Sequence, residues 1–212
     1  MTYSQFKNQY QHLPIINARD IIEKHKKQVT LNQFNRWQQK GWIIRIKRGV
    51  YLFNKNDRKV QASRPFLANQ LCFPSYVSLE YALNFYGLIP EAVFALTSVT
   101  TKKTNRFANA EGNFIYQHIK PVAFRGFISV KDDFGFSYFI AQPEKAIIDF
   151  FYLNLPRFKT GDADIFEKSY RFQNLESIRT KLLLDFTVLF SNDRLMRVVK
   201  LFCQFLKTQK AK

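Results

Sequence analysis

Residues 30–53, TLNQFNRWQQKGWIIRIKRGVYLF, constrain this chain more than any other stretch. Leu31, Phe34 and Trp37 recur at roughly helical spacing, and Gly41 is the residue type that ends a helix in a left-handed conformation. Asn32, Asn35, Arg36 and Gln39 fall at i, i+3, i+4 and i+7, so one helix face gathers them opposite the apolar row. Thr30 reads as the N-cap, with Gln33 three residues later to complete a capping box. After Gly41, the apolar residues Ile43, Ile46, Val50 and Leu52 run along two strands broken by the turn Lys47-Arg48-Gly49. A polar-faced helix followed by a basic-tipped ribbon predicts a winged helix-turn-helix. Amide side chains pair with adenine and arginine with guanine in the major groove. Arg45, Lys47 and Arg48 stand where a wing would meet phosphates.

The upstream residues fit that expectation. Residues 2–12 predict a first helix, with Phe6 and Tyr10 at i and i+4 and Pro14 as its breaker. Asn17 is expected to cap a second helix over ARDIIEKHKKQ, with Asp20 in its first turn. Residues 54–63, NKNDRKVQAS, are polar throughout and read as a linker. The expected division is therefore a winged-helix domain over 1–57 and a second domain over 58–212.

Charge supports the division. The net charge is +17. Residues 1–60 hold 13 Lys/Arg against 3 Asp/Glu, residues 61–152 hold 8 against 7, and residues 153–212 hold 12 against 6. The excess sits on the expected DNA-binding segment and again at the C-terminal end. A general solubility device would not leave the middle nearly neutral. Charge of this size attracts polyanions over a Debye length of about 8–10 Å.

For residues 58–212 the pattern predicts a mixed α+β domain with a small, mostly antiparallel sheet and C-terminal helices. Helices are expected near 64–72, from Ser78 to Gly87, and from Pro143 onward. Strands are expected at 93–100, 113–119, 122–130 and 136–141, with Asp132, Asp133 and Gly135 turning the last pair. Residues 102–110 read as a basic loop. Leu195, Val198, Val199, Phe202 and Leu206 form an amphipathic stripe in the last helix. Hydrophobic residues make up 46% of the chain and aromatics 17%, which excludes a disordered chain. No apolar run has the length of a membrane span, and the N-terminal residues lack the apolar segment of a secretory signal. The chain is expected to be cytoplasmic. Cys72 and Cys203 both lie in apolar sequence and read as buried thiols.

Three blocks carry a resemblance to a known family. WIIRIKRGVY (42–51) resembles the basic segment that ends the N-terminal winged helix of AbiEi-type antitoxins of type IV, abortive-infection toxin–antitoxin pairs. SYVSLEYALNFYGLIPEAVFALTSVTTKKTNRFANAEGNFIYQHIK (75–120) and AQPEKAIIDFFY (141–152) resemble the C-terminal domain of the same family. The resemblance spans nearly the whole chain in order, although residues 162–212 carry little that is diagnostic. Trp37 departs from the aliphatic residue more usual there. The resemblance implies a repressor that binds operator DNA at its own promoter, with cooperative assembly on the DNA as one arrangement. It also implies an antitoxin that opposes a nucleotidyltransferase-like toxin without a stable complex. No cofactor, metal or membrane enters that picture, and no enzymatic activity.

On this reading the DNA-contacting candidates are Thr30, Asn32, Gln33, Asn35, Arg36, Gln39, Lys40, Arg45, Lys47 and Arg48, joined by a second basic cluster of Lys102, Lys103 and Arg106. That cluster reads equally well as an exposed loop or as a contact to DNA or toxin. Arg194, Arg197 and Lys200 read as a solvated helix face. Glu144, Lys145 and Asp149 invite a metal-dependent nuclease reading, which needs carboxylates converging on a cation. First-turn electrostatics already account for Glu144. His12, His25 and His118 are scattered, with no partner at metal-ligand spacing. Tyr76, Tyr81, Tyr86, Phe85 and Phe94 read as core. Two alternatives remain beside the repressor–antitoxin reading: a nuclease delivered by a winged helix, and a plain regulator with no antitoxin role.

Overall fold

The structure, a computed structural model, describes residues 1–23, 27–158 and 163–210. The chain is a mixed α+β protein with two sheets and two apolar cores. It opens with α1 (Tyr3–Tyr10), whose N-cap Thr2 and Gln5 form a reciprocal capping box. A two-residue strand β1 (Ile16–Asn17) leads into α2 (Ala18–Ile22), and α3 (Lys27–Gln39) follows. The strands β2 (Ile43–Lys47) and β3 (Val50–Phe53) form a hairpin, and β1 adds to β3, giving a three-stranded antiparallel sheet.

Two boundaries differ from the sequence expectation. The second helix stops at Ile22 instead of running through 28, and Asn17 makes no side-chain cap bond. The third helix begins at Lys27 instead of after Thr30, so Thr30 lies inside it. The expected helix over 18–28 crosses residues 24–26, which lie outside the described residues.

Alternation in the hairpin explains how the two halves join. Ile43, Tyr51 and Phe53 pack with Phe6, Phe34 and Trp37 in the small core. Leu52, between Tyr51 and Phe53, and Ile46, three residues along the strand from Ile43, point the other way and belong to the large core. The three-stranded sheet is therefore buried on both faces, one against its own helices and one against residues beyond 63. The polar stretch 54–63 does connect the halves, but it is anchored. Tyr3 donates its hydroxyl to Asp57 at 2.6 Å, Lys7 pairs with the same carboxylate, and Arg58 bonds both the Phe53 carbonyl and Glu111.

The larger half begins with α4 (Arg64–Leu71), capped by Ser63, then β4 (Ser75–Val77) and α5 (Leu79–Phe85). Next come β5 (Leu96–Thr100), β6 (Asn105–Asn109), β7 (Gly112–His118), β8 (Phe127–Lys131) and β9 (Ser137–Ala141). Three helices complete it: α6 (Pro143–Leu153), α7 (Thr180–Val188) and α8 (Asp193–Lys210). The sheet has six strands in the order β6-β7-β5-β4-β9-β8. It is larger and more mixed than expected, because β4–β9 and β5–β7 pair in parallel. Residues 105–109, expected to be loop, form an edge strand antiparallel to β7. Asn105 and Arg106 face solvent, leaving Phe107 as the main apolar contact with the core, so hydrophobic periodicity does not reveal it. Residues 121–123 form a short 3₁₀ turn in place of strand. The stripe Leu195, Val198, Val199, Phe202 and Leu206 is buried as its spacing predicts. No helix among the described residues is long and apolar enough to cross a membrane.

Candidate nucleic-acid interface

The helix α3 sets the geometry. Starting at Lys27, it puts Thr30 on the same inward row as Phe34 and Trp37, where Thr30 is only 2% exposed. Thr30 is thus neither an N-cap nor a surface contact. Gln33 does not reach back to it either, since its Nε2 donates to the Met1 carbonyl at 2.7 Å. The face expected from spacing is otherwise open: Asn32, Asn35, Arg36, Gln39 and Lys40 are all exposed. Lys40 holds its Nζ 4.6 Å above the Trp42 ring. The helix closes as Gly41 allows. With φ at +68°, Gly41 donates to the Gln38 carbonyl at 3.0 Å, and Trp42 donates to the Trp37 carbonyl at 2.9 Å.

The earlier start adds residues that the sequence reading passes over. Gln28, one turn before Asn32 on the same stripe, donates to the Asn32 Oδ1 at 3.2 Å. Val29 is 53% exposed on the first turn. The signal for Gln28 was its i−4 spacing from Asn32, hidden by the assumed cap at Thr30.

The hairpin faces this helix across a groove of about 690 Å³, lined by Arg19, Asn35, Arg45 and Arg48 among others. Arg45 sits opposite Tyr51 in the ladder and points to the α3 side. Arg48 is exposed at the turn. Gly49 takes φ +77°, and its carbonyl accepts from the Ala18 amide at 2.8 Å, tying the tip to the start of α2. Arg19 is a further exposed cation of this groove that sequence reasoning missed, because nothing local distinguishes it from an ordinary helix-surface arginine.

Lys47 has a different job from its neighbours. Its Nζ donates to the Leu71 carbonyl at 2.7 Å and lies 5.6 Å over the Phe107 ring. Together with Asn109 donating to the Ile46 carbonyl at 3.0 Å, and the Arg58–Glu111 ion pair at 3.0 Å, it locks the hairpin onto the six-stranded sheet. That lock brings the two basic clusters together. A second groove, of about 730 Å³, is lined by Lys47, Arg48, Leu71, Cys72, Lys102, Lys103 and their neighbours. The Lys102–Lys103 segment is held by the Thr100 hydroxyl, which accepts from the Lys102 amide at 3.1 Å, and by His118, whose Nδ1 lies 3.0 Å from the Lys102 carbonyl. Arg106 is exposed on the edge strand β6.

The acidic residues that invited a nuclease reading are enclosed. Glu144 accepts from the Arg179 Nε at 2.9 Å and its backbone amide at 3.2 Å. Burial pushes the Glu144 carboxyl up, but the Arg179 bonds outweigh it and hold it below the usual range. Lys145 pairs with Asp149 one helical turn on, both fully buried. Tyr76 and Ser78 each donate to the other Asp149 oxygen at 2.9 Å. Burial pushes Asp149 up and Lys145 down, each toward its neutral form. Ser78, at the N-cap position of α5, makes no side-chain cap bond and gives its hydroxyl to Asp149.

Among the described residues, no group of three or more His, Cys, Asp or Glu could hold a metal ion. His25 lies outside the described residues. Arg194, Arg197 and Lys200 are exposed on α8, away from its buried stripe. Of the aromatics expected in the core, Tyr76 is buried, but Phe85 and Phe94 are exposed. They lie at a helix end and in a loop. Cys72 and Cys203 are both free thiols. No protein-family model matches this chain, and no curated protein matches it.

Proposed function

We propose that this protein binds double-stranded DNA through an N-terminal winged helix-turn-helix and represses its own operon. In this reading α3 is the recognition helix and β2–β3 the wing. One observation carries it: an exposed row of Asn32, Asn35, Arg36 and Gln39 meets, at Asn35, a groove also lined by Arg45 and Arg48, and Arg48 lines a second, basic groove as well. Amide and guanidinium groups are the side chains that read major-groove edges, and flanking cations hold phosphates. The first turn of a recognition helix commonly reaches the bases. Gln28 and Val29 therefore join the base-reading set, with Val29 suited to a thymine methyl.

Arg36→Ala should weaken binding to a selected duplex by about 1–3 kcal/mol and relax its sequence preference. Arg48→Ala should weaken binding to selected and random duplexes alike. If gel shifts find the two variants equivalent on both duplexes, the assignment of roles is wrong.

The antitoxin part of the proposal rests on the resemblance of residues 75–120 and 141–152 to AbiEi-type antitoxins. It predicts that co-expression relieves growth arrest by a nucleotidyltransferase-like toxin encoded beside this gene. Absence of such a neighbour, or of rescue, would leave a plain repressor.

A further inference from the structure

We propose that Phe73 is a wedge that inserts into the DNA beside the wing, a role that rests on the DNA-binding reading above. Phe73 is 70% exposed, although a phenyl ring gains by burial. Its backbone is held on both sides. Thr100 donates its hydroxyl to the Pro74 carbonyl at 2.6 Å, and the Cys72 Sγ lies 3.8 Å from the same Thr100 oxygen. Ser75 donates its hydroxyl to the Cys72 carbonyl. A ring on a fixed backbone facing solvent is positioned in advance of any partner.

Its surroundings say which partner. Leu71 and Cys72, the two residues before it, line the groove shared with Lys47, Arg48, Lys102 and Lys103. The antiparallel register Ser75↔Thr100 brings the start of β4 and the end of β5 to one end of the sheet, so Phe73 leaves that end beside the Lys102–Lys103 segment. Phe94 offers the contrast. It is more exposed, at 86%, but the pocket it lines holds two carboxylates, Glu80 and the Arg171-paired Glu91, with one cation, Arg157, whereas the groove before Phe73 holds four cations. An exposed apolar side chain next in sequence to a cation-lined groove matches the way DNA-bending proteins work: cations hold the backbone while the wedge unstacks a base step from the minor groove and kinks the duplex. Kinking then favours sequences with a flexible pyrimidine–purine step at that position.

The test starts from a duplex that the wild-type full-length chain selects out of a random-sequence pool. Affinity, salt slope and bend angle are then measured for wild type, Phe73→Ala, Phe73→Trp and Arg48→Ala, with circular dichroism as the check on folding. Phe73→Ala should lose about 5- to 100-fold in affinity, the range for losing one aromatic contact to a base. Its salt slope should not change, its bend should diminish, and Phe73→Trp should retain both affinity and bend. Arg48→Ala should instead lower the salt slope by about one. If wild type selects no duplex, the DNA-binding reading falls and the wedge with it. If wild type binds while Phe73→Ala keeps the wild-type affinity and bend, or, should the alanine variant not fold, if wild type itself leaves the duplex unbent, the wedge alone is wrong.

Discussion

Raising the salt concentration is the perturbation that most directly tests the proposed DNA binding and how far its footprint would extend. Five exposed cations lie on the β2–β3 hairpin or on the chain from Lys102 to the edge strand β6: Arg45, Arg48, Lys102, Lys103 and Arg106. If each neutralises one phosphate, the released counterions give a slope of log K against log salt of about −4.5 per bound protomer. Affinity should then fall by roughly 500-fold between about 50 and 200 mM salt. Fluorescence anisotropy of a labelled duplex at several KCl concentrations measures this directly. Lys102→Ala with Lys103→Ala should make the slope shallower by about 1.8, because two counterions fewer are released. Lys47→Ala should leave the slope nearly unchanged, since its ammonium is already committed to the Leu71 carbonyl. A slope no steeper than about −2, or one indifferent to removal of both lysines, would refute the continuous track from wing to β5–β6 loop.

Two further predictions concern the scaffold. Lys145→Met strands a buried carboxylate and should cost about 3–5 kcal/mol, read as a drop in unfolding midpoint of about 6–20 °C. Adding Asp149→Leu should recover only part of that, because the Tyr76 and Ser78 hydroxyls then lose their acceptor. A loss under about 1 kcal/mol for Lys145→Met would mean the pair is not buried in solution. Asp57 is held below the usual carboxylate range, chiefly by the hydrogen bond from Lys7 and next by that from Tyr3. A depressed folded value stabilises above the unfolded carboxyl's range and is lost as pH falls through the folded one. The stability gap between wild type and Asp57→Asn in urea should therefore shrink from about pH 5 downward. A gap that persists unchanged below about pH 3 would show that the carboxylate's charge contributes nothing.

Local chemistry sufficed wherever one element's own residues decide its fate. The row Asn32, Asn35, Arg36 and Gln39, the stop at Gly41, the turn at Lys47–Val50 and the stripe of α8 follow from period and turn propensity, which any reader of the chain can apply. Tertiary structure decided what depends on distant partners. Thr30 has the chemistry of a cap, but burial against the core made it an interior residue, and no local pattern distinguishes those two fates. Lys47 and Arg48 are neighbours of like charge, yet Lys47 meets a carbonyl from Leu71 while Arg48 is exposed at the turn. Residues 105–109 became strand because β7 offered backbone partners, a gain that side-chain periodicity does not record. The meeting of Arg48, Cys72 and Lys102 in one groove arises from packing the hairpin on both faces, and contacts between residues tens of positions apart carry no signature in either segment alone.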